Sequence, residues 1–213
     1  MTMNKTALSI LLLCFSLLVC VSLHAQSNDN AAVVSFVGYD DLGFPGFGQE
    51  PGKIKAAFTS QDGAFRVPED NYQAIDIKAD FPAGFTEKIS KAMEKIADKD
   101  NPRLIFALSS HGGPGLIGRK YNPYIKYDDL LKELIKNTLE KYPKVEITIF
   151  LSACYSGSAI AALKEIASSG KVSIYTASDG EHVALGASFF SALLYLSNKP
   201  EYRSADLGLN AKG

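Results

Sequence analysis

The stretch Arg103-Leu-Ile-Phe-Ala-Leu-Ser-Ser-His-Gly-Gly113 is an apolar run that gives way to a histidine and glycines. A second stretch, Val145-Glu-Ile-Thr-Ile-Phe-Leu-Ser-Ala-Cys154, repeats the arrangement and ends in a cysteine. Short runs of this kind, nearly free of charge and rich in branched residues, read as strands buried on both faces. Ala32 to Val37, Tyr72 to Ile77 and Lys171 to Tyr175 have the same character. Between them lie stretches with apolar residues at helical spacing: Phe85 to Asp98, Tyr127 to Lys141, Ser158 to Ser168 and Gly186 to Ser197. Strands that alternate with helices predict an α/β fold, a three-layer α/β/α sandwich around a mainly parallel sheet. Residues 40–70, punctuated by Gly43, Pro45, Gly46, Gly48, Pro51 and Gly52, read as a long irregular loop. A hairpin is expected within it, around Ile54 to Phe58 and Ala64 to Val67.

The 213 residues suit one domain with appendages. Lys5 followed by the apolar run from Ala7 to Val21 and the segment Ser22-Leu-His-Ala25 reads as a secretory signal, with cleavage before Gln26. A membrane anchor is the alternative, because the run approaches the minimum of roughly 17 apolar residues for a span. Residues 26–198 then form the domain, and 199–213, which lose apolar periodicity, a loosely held tail. The expected location is secreted or periplasmic, with no stable membrane association once the signal is removed. The near balance of 22 basic and 23 acidic residues argues against nucleic acid as a partner.

Removal of the signal takes Cys14, Cys20 and His24 with it. Cys154 is then the one remaining cysteine, and His111 and His182 the two remaining histidines. A single thiol in an oxidising compartment cannot form an internal disulfide, so it is either buried or used. In doubly wound folds the ligand crevice lies at the carboxyl ends of the parallel strands. The two apolar runs end there in His111 and Cys154, which predicts an imidazole facing a thiol nucleophile across one sheet edge. Gly112 and Cys154 can offer backbone N–H groups to an oxyanion. The segment Cys154-Tyr-Ser-Gly-Ser158 leads into a helix, whose N-terminal amides would favour a thiolate.

Other chemistries fit less well. A serine hydrolase with a nucleophile elbow needs Gly-x-Ser-x-Gly, and the sequence has no such pentapeptide. One cysteine and two distant histidines are a poor zinc site, so no metal is expected. Gly43-Phe-Pro-Gly-Phe-Gly48 lacks the dinucleotide fingerprint.

The blocks His111-Gly-Gly-Pro-Gly-Leu-Ile-Gly118 and Ala153-Cys-Tyr-Ser-Gly-Ser158 resemble the two active-site blocks of the legumain family, the asparaginyl endopeptidases or haemoglobinases. These are cysteine peptidases of the clan that includes caspases and gingipains. The resemblance runs from about Leu104 through Tyr124 and Asp129-Leu-Leu131 to Ser178. It implies a six-stranded, caspase-like sheet, His111 as catalytic histidine, Cys154 as nucleophile and the Gly112 N–H as oxyanion donor, with no cofactor. Where the family has an acidic residue two positions before the cysteine, lining the specificity pocket, this chain has Ser152. The family's Arg-His pair is absent from Gly38 to Lys53, and Ser110 stands where legumains have Asp. Asparagine selectivity is therefore not carried over, nor is autoinhibition by the family's carboxy-terminal prodomain.

Ser152 is read as a pocket residue from its position. Ser178, Asp179, Glu181 and His182, which follow the next strand, are further pocket candidates, with the two carboxylates able to meet a basic or amide side chain. An exposed loop is the plainer reading of His182. Tyr121, Tyr124 and Tyr127 fit packing around the crossover helix better than an aromatic rim. The chain is thus expected to be an exported cysteine endopeptidase acting on protein or peptide substrates. A transpeptidase or ligase with the same dyad, and a silent peptide-binding homologue, are the alternatives.

Overall fold

The computed structural model describes residues 28–38, 49–60, 65–75, 83–118, 124–184 and 188–197. Residues 1–25, which the sequence reads as a signal, the glycine-rich stretch 40–48 and residues 199–213, read as a tail, lie outside the described residues.

The principal sheet has strands β1 (Ala31–Val37), β2 (Tyr72–Ile75), β3 (Arg103–Ser109), β7 (Glu146–Ser152) and β8 (Val172–Thr176). Their order is β2-β1-β3-β7-β8, and every neighbouring pair is parallel. Helices α1 (Glu50–Thr59), α2 (Ala83–Ile96), α3 (Lys132–Lys141), α4 (Ser158–Ala167) and α5 (Ser188–Ser197) complete the described layers. The sheet is sandwiched between two helical layers, as the alternation of runs predicts. Among the described residues it has five strands, where the family resemblance implies six.

Period-two alternation divides the central strands between two cores. Val34, Phe36, Phe106, Leu108, Ile149 and Leu151 face one side and pack with Ile89 and Met93 of α2, Ile135 of α3 and Leu163 of α4. Val33, Ile105, Ala107 and Phe150 face the other and meet Ile54 and Phe58 of α1 and Phe190 of α5. Phe58 is the hub of that second core, with ring centroids 4.7 Å from Phe65 and 5.5 Å from Phe150. Burial on both faces explains why β1, β3 and β7 read as continuous apolar runs.

Two segments differ from the sequence expectation. Ile54 to Phe58 is helical, in α1, and not one arm of a hairpin. Ile54, Ala57 and Phe58 recur at helical spacing and are all buried, and Pro51 sits near the start of the helix, where its missing N–H costs nothing. The neighbouring segment still touches it through one backbone bond, Val67 N–H to the Phe58 carbonyl at 2.9 Å. The second difference follows β3, where the glycine loop is a small antiparallel sheet of β4 (Gly112–Gly113), β5 (Leu116–Ile117) and β6 (Ile125–Lys126).

The crossover to β7 begins with a π-helical turn, Tyr127–Leu131, ahead of α3. Tyr127 is fully buried there, consistent with packing, and desolvation pushes its phenol well above the usual range. Tyr124 is exposed, and Tyr121 lies outside the described residues. No helix among the described residues is long and apolar enough to cross a membrane.

Phe106, at 0% exposure on the middle strand, tests this account. Phe106→Ala should lower the unfolding free energy by about 3–5 kcal/mol in urea titration. A loss below about 1 kcal/mol would contradict a core organised around β3.

Candidate active site

β3 and β7 run side by side in register, from Arg103 opposite Glu146 to Ser109 opposite Ser152. The pairing extends one step further, with Ser110 N–H donating to the Ser152 carbonyl at 3.1 Å. Beyond that step the chains diverge into His111 on one side and Ala153-Cys154 on the other. His111 and Cys154 are both partly exposed, and the thiol is free.

Gly112 brings the two segments into contact. A Cβ at this position would lie 2.8 Å from the Ala153 Cβ and would collide with the Cys154 carbonyl, so only glycine fits. Gly118 N–H donates to the His111 carbonyl at 2.7 Å, and the next pair along the hairpin is Gly112 opposite Ile117. Antiparallel pairs alternate, so Gly112 belongs to a non-hydrogen-bonded pair and its N–H points away from the hairpin.

Ser158 clips the same hairpin to the cysteine turn. Its hydroxyl accepts the Gly115 N–H at 2.9 Å and donates to the Tyr155 carbonyl at 2.7 Å. Tyr155 itself has a left-handed backbone, with φ of +57°, a conformation that a bulky residue rarely adopts. Its N–H donates to the His182 carbonyl at 2.9 Å, which helps to hold the turn in this shape.

The amides after the cysteine are already engaged. Those of Tyr155, Ser156 and Gly157 donate to the His182 carbonyl, Ser178 Oγ and the Asp179 carbonyl. Those of Ser158, Ala159 and Ile160 donate to carbonyls of the turn itself. The free helix-start amides that the sequence suggested as thiolate partners are therefore taken, because a tight turn separates Cys154 from α4.

The proposed pocket residues occupy two environments. Ser152 is buried, at 4% exposure, at the end of β7. Ser178 is half-buried and ties the end of β8 to the cysteine turn, with Oγ donating to the Ala153 carbonyl at 3.1 Å and its own N–H donating to Ser156 Oγ at 3.2 Å. Gly157 lies so close to Asp179 and Gly180 that a side chain there would need the backbone to move.

Asp179, Glu181 and His182 are exposed. The Asp179 carboxylate accepts the N–H groups of Glu181 and His182 at 2.9 and 2.8 Å and meets His182 Nδ1 at 2.7 Å. The Glu181 amide, followed by the His182 ring, holds the Asp179 carboxyl below its usual range. Asp179 is thus committed within its own loop, and the His182 side chain is 73% exposed. An open groove of about 770 Å³ adjoins this loop, with Ile160, Ala161, Thr176 and Ala177 among its walls. Among the described residues no cluster of three or more His, Cys, Asp or Glu side chains is arranged to hold a metal ion.

One polar residue at this edge escaped the sequence reading. Glu50, the first residue of α1, is 0% exposed, and its Oε1 accepts a hydrogen bond from Ser109 Oγ at 3.2 Å. Its Oε2 is buried without a partner among the described residues, and burial raises the carboxyl above its ordinary value. The signal was present but masked by flanking glycines: Glu50 precedes Ile54 and Ala57-Phe58 at helical spacing.

A family model described as the peptidase C13 family matches residues 19–204. The chain belongs to this family. The C13 match agrees with the legumain resemblance of the His111 and Cys154 blocks. This C13 chain is 30% identical over 124 residues to the vacuolar-processing enzyme beta-isozyme of Arabidopsis thaliana, covering 56% of the chain and 25% of that protein. It is also 30% identical over 125 residues to the vacuolar-processing enzyme of Vicia sativa, with the same coverage. The C13 chain therefore aligns with about a quarter of the length of these curated relatives. A solved structure of caspase-1 from Spodoptera frugiperda is similar with a TM-score of 0.36 and 16% identity, over 62% of this chain and 50% of that one. The fold assignment rests on the strand order described above.

Two consequences of this geometry are measurable. Ser158→Ala removes both clip bonds and should cost about 1–2 kcal/mol in urea unfolding. Glu50 gives a pH signature. Its raised value means that the folded state holds the proton more tightly than the unfolded one, so ionisation opposes folding. As pH rises above 4.5, the wild-type protein should lose melting temperature relative to Glu50→Gln, which does not titrate. Parallel pH profiles of the two proteins would contradict this.

Proposed function

We propose that the chain is an exported cysteine endopeptidase of the legumain type, with Cys154 and His111 as its dyad. The observation that carries this reading is the close approach of Gly112 to Ala153 and Cys154, beside the paired ends of β3 and β7. Family membership supports the hydrolase class. Export follows from the signal-like segment before Gln26.

In this reading His111 takes the thiol proton, and the Cys154 thiolate attacks the scissile carbonyl carbon. The Gly112 and Cys154 N–H groups receive the oxyanion of the tetrahedral intermediate. Collapse of that intermediate breaks the C–N bond, and His111 passes its proton to the departing amine. Water, deprotonated by His111, then attacks the thioester. Expulsion of the thiolate releases the carboxylic acid, and the proton held by His111 restores the resting pair. The reaction is balanced with water as the one co-reactant.

The substrate is a protein or peptide. Ser152, at the position of the family's acidic pocket residue, gives no charge-based reason to select asparagine. Ser178, Asp179, Glu181 and His182 belong to the loop beside the nucleophile turn. In this reading they shape that border, with Ser178 acting through its bonds to the turn.

The purified chain beginning at Gln26 should cleave peptides and be alkylated at Cys154 by a peptidyl electrophile. Cys154→Ala should abolish both, and His111→Ala should lower kcat by about 10²- to 10⁴-fold. Retained cleavage in Cys154→Ala would sink the mechanism.

A further inference from the structure

Position 50 is a poor place for a carboxylate if stability alone decides. It lies one helical turn before Ile54, in line with the apolar face that α1 presents to the second core. An aliphatic side chain would suit that row. The glutamate found there is fully buried, with one oxygen lacking a partner among the described residues, an arrangement that costs about 1–3 kcal/mol. Its side-chain hydrogen bond among the described residues goes to Ser109, the last residue of β3 and two before His111.

The backbone around Ser109 is already fixed from both sides. Gly38 N–H, just past β1, donates to the Ser109 carbonyl at 2.8 Å, and Ser110 N–H donates to the Ser152 carbonyl at 3.1 Å. Ser110 Oγ reaches the Gly38 carbonyl at 3.4 Å. Glu50 adds a side-chain anchor from a separate element, the start of α1. Three elements, the end of β1, β7 and α1, thus converge on the two residues from which His111 departs.

We infer that Glu50 is a positioning residue for the His111 dyad, acting through its hydrogen bond to Ser109 to fix the direction in which β3 releases the histidine. The inference rests on the assignment of His111 as proton carrier, and it assigns Glu50 no contact with substrate. An error of about 1 Å in a catalytic group can cost about a hundredfold in rate, so one buried anchor suffices to matter.

The test is a comparison of variants in the purified chain beginning at Gln26. Glu50→Ala and Ser109→Ala remove the same bond from opposite ends. Each should lower kcat by about 10- to 100-fold, leave KM within about threefold, and produce no further loss when combined. Glu50→Gln keeps an Oε1 acceptor for Ser109 and should restore most of the lost rate. In a His111→Ala background, Glu50→Ala should leave the residual rate of Cys154 alkylation unchanged.

Wild-type kcat in folded Glu50→Ala and Ser109→Ala, with His111→Ala inactive, overturns the inference and leaves the dyad standing. A rise in KM that depends on the substrate side chain also overturns it, because Glu50 would then touch substrate. Additive loss in the His111→Ala background overturns it as well. Full activity in His111→Ala refutes the dyad, and the inference with it. If Glu50→Ala does not fold, Ser109→Ala decides, since it leaves α1 intact.

Discussion

The parallel pairing of β3 with β7 is the constraint on which the rest depends. Seven consecutive residue pairs in register bring two strands, far apart in sequence, to the same finishing line. A shift by one residue would reverse which side chains face each core, so the fit of particular side chains to two different helical layers holds the register. The same register therefore decides that His111 and Cys154 emerge at one edge. Packing in the interior and placement of the candidate dyad are a single choice.

Beyond the strand ends, hydrogen bonds and close approach replace apolar burial. Gly112 admits the histidine hairpin against the cysteine segment, and Gly157 admits the loop that follows β8 against the cysteine turn. Ser158 and Ser178 then tie these pieces together with hydroxyl groups that both donate and accept. Such side chains suit a region half open to water, where an apolar contact would gain less and a charge would be screened.

Much of this was legible because strands buried on both faces leave an unmistakable mark. Ala32 to Val37, Arg103 to Leu108 and Val145 to Leu151 stand out as apolar runs, and the candidate His111 and Cys154 follow where the last two stop. Residues 50–59 did not, since Gly52 and the glycines before them imitate a loop while three buried side chains carry the helix. The hairpin after β3 was invisible for another reason: two-residue strands have no periodicity to read. Glu50 was missed with its helix. Asp179 and His182 lie in the loop after β8, and spacing could not reveal that a carboxylate would turn inward on its own loop. Composition records which groups are present; which of them remain available depends on geometry.

That distinction gives the turn after Cys154 a further significance. Six successive amides, from Tyr155 to Ile160, have partners within the protein. The Cys154 N–H makes no such bond among the described residues, and the Gly112 N–H points away from its hairpin. In the proposed mechanism an incoming carbonyl oxygen meets a surface where most donors are committed and, among the described residues, two neighbouring ones are not. In that mechanism the edge is preorganised: its conformational entropy is surrendered on folding, before a peptide arrives. Selectivity for a single developing charge can come as much from the silence of the surrounding amides as from the pair that answers.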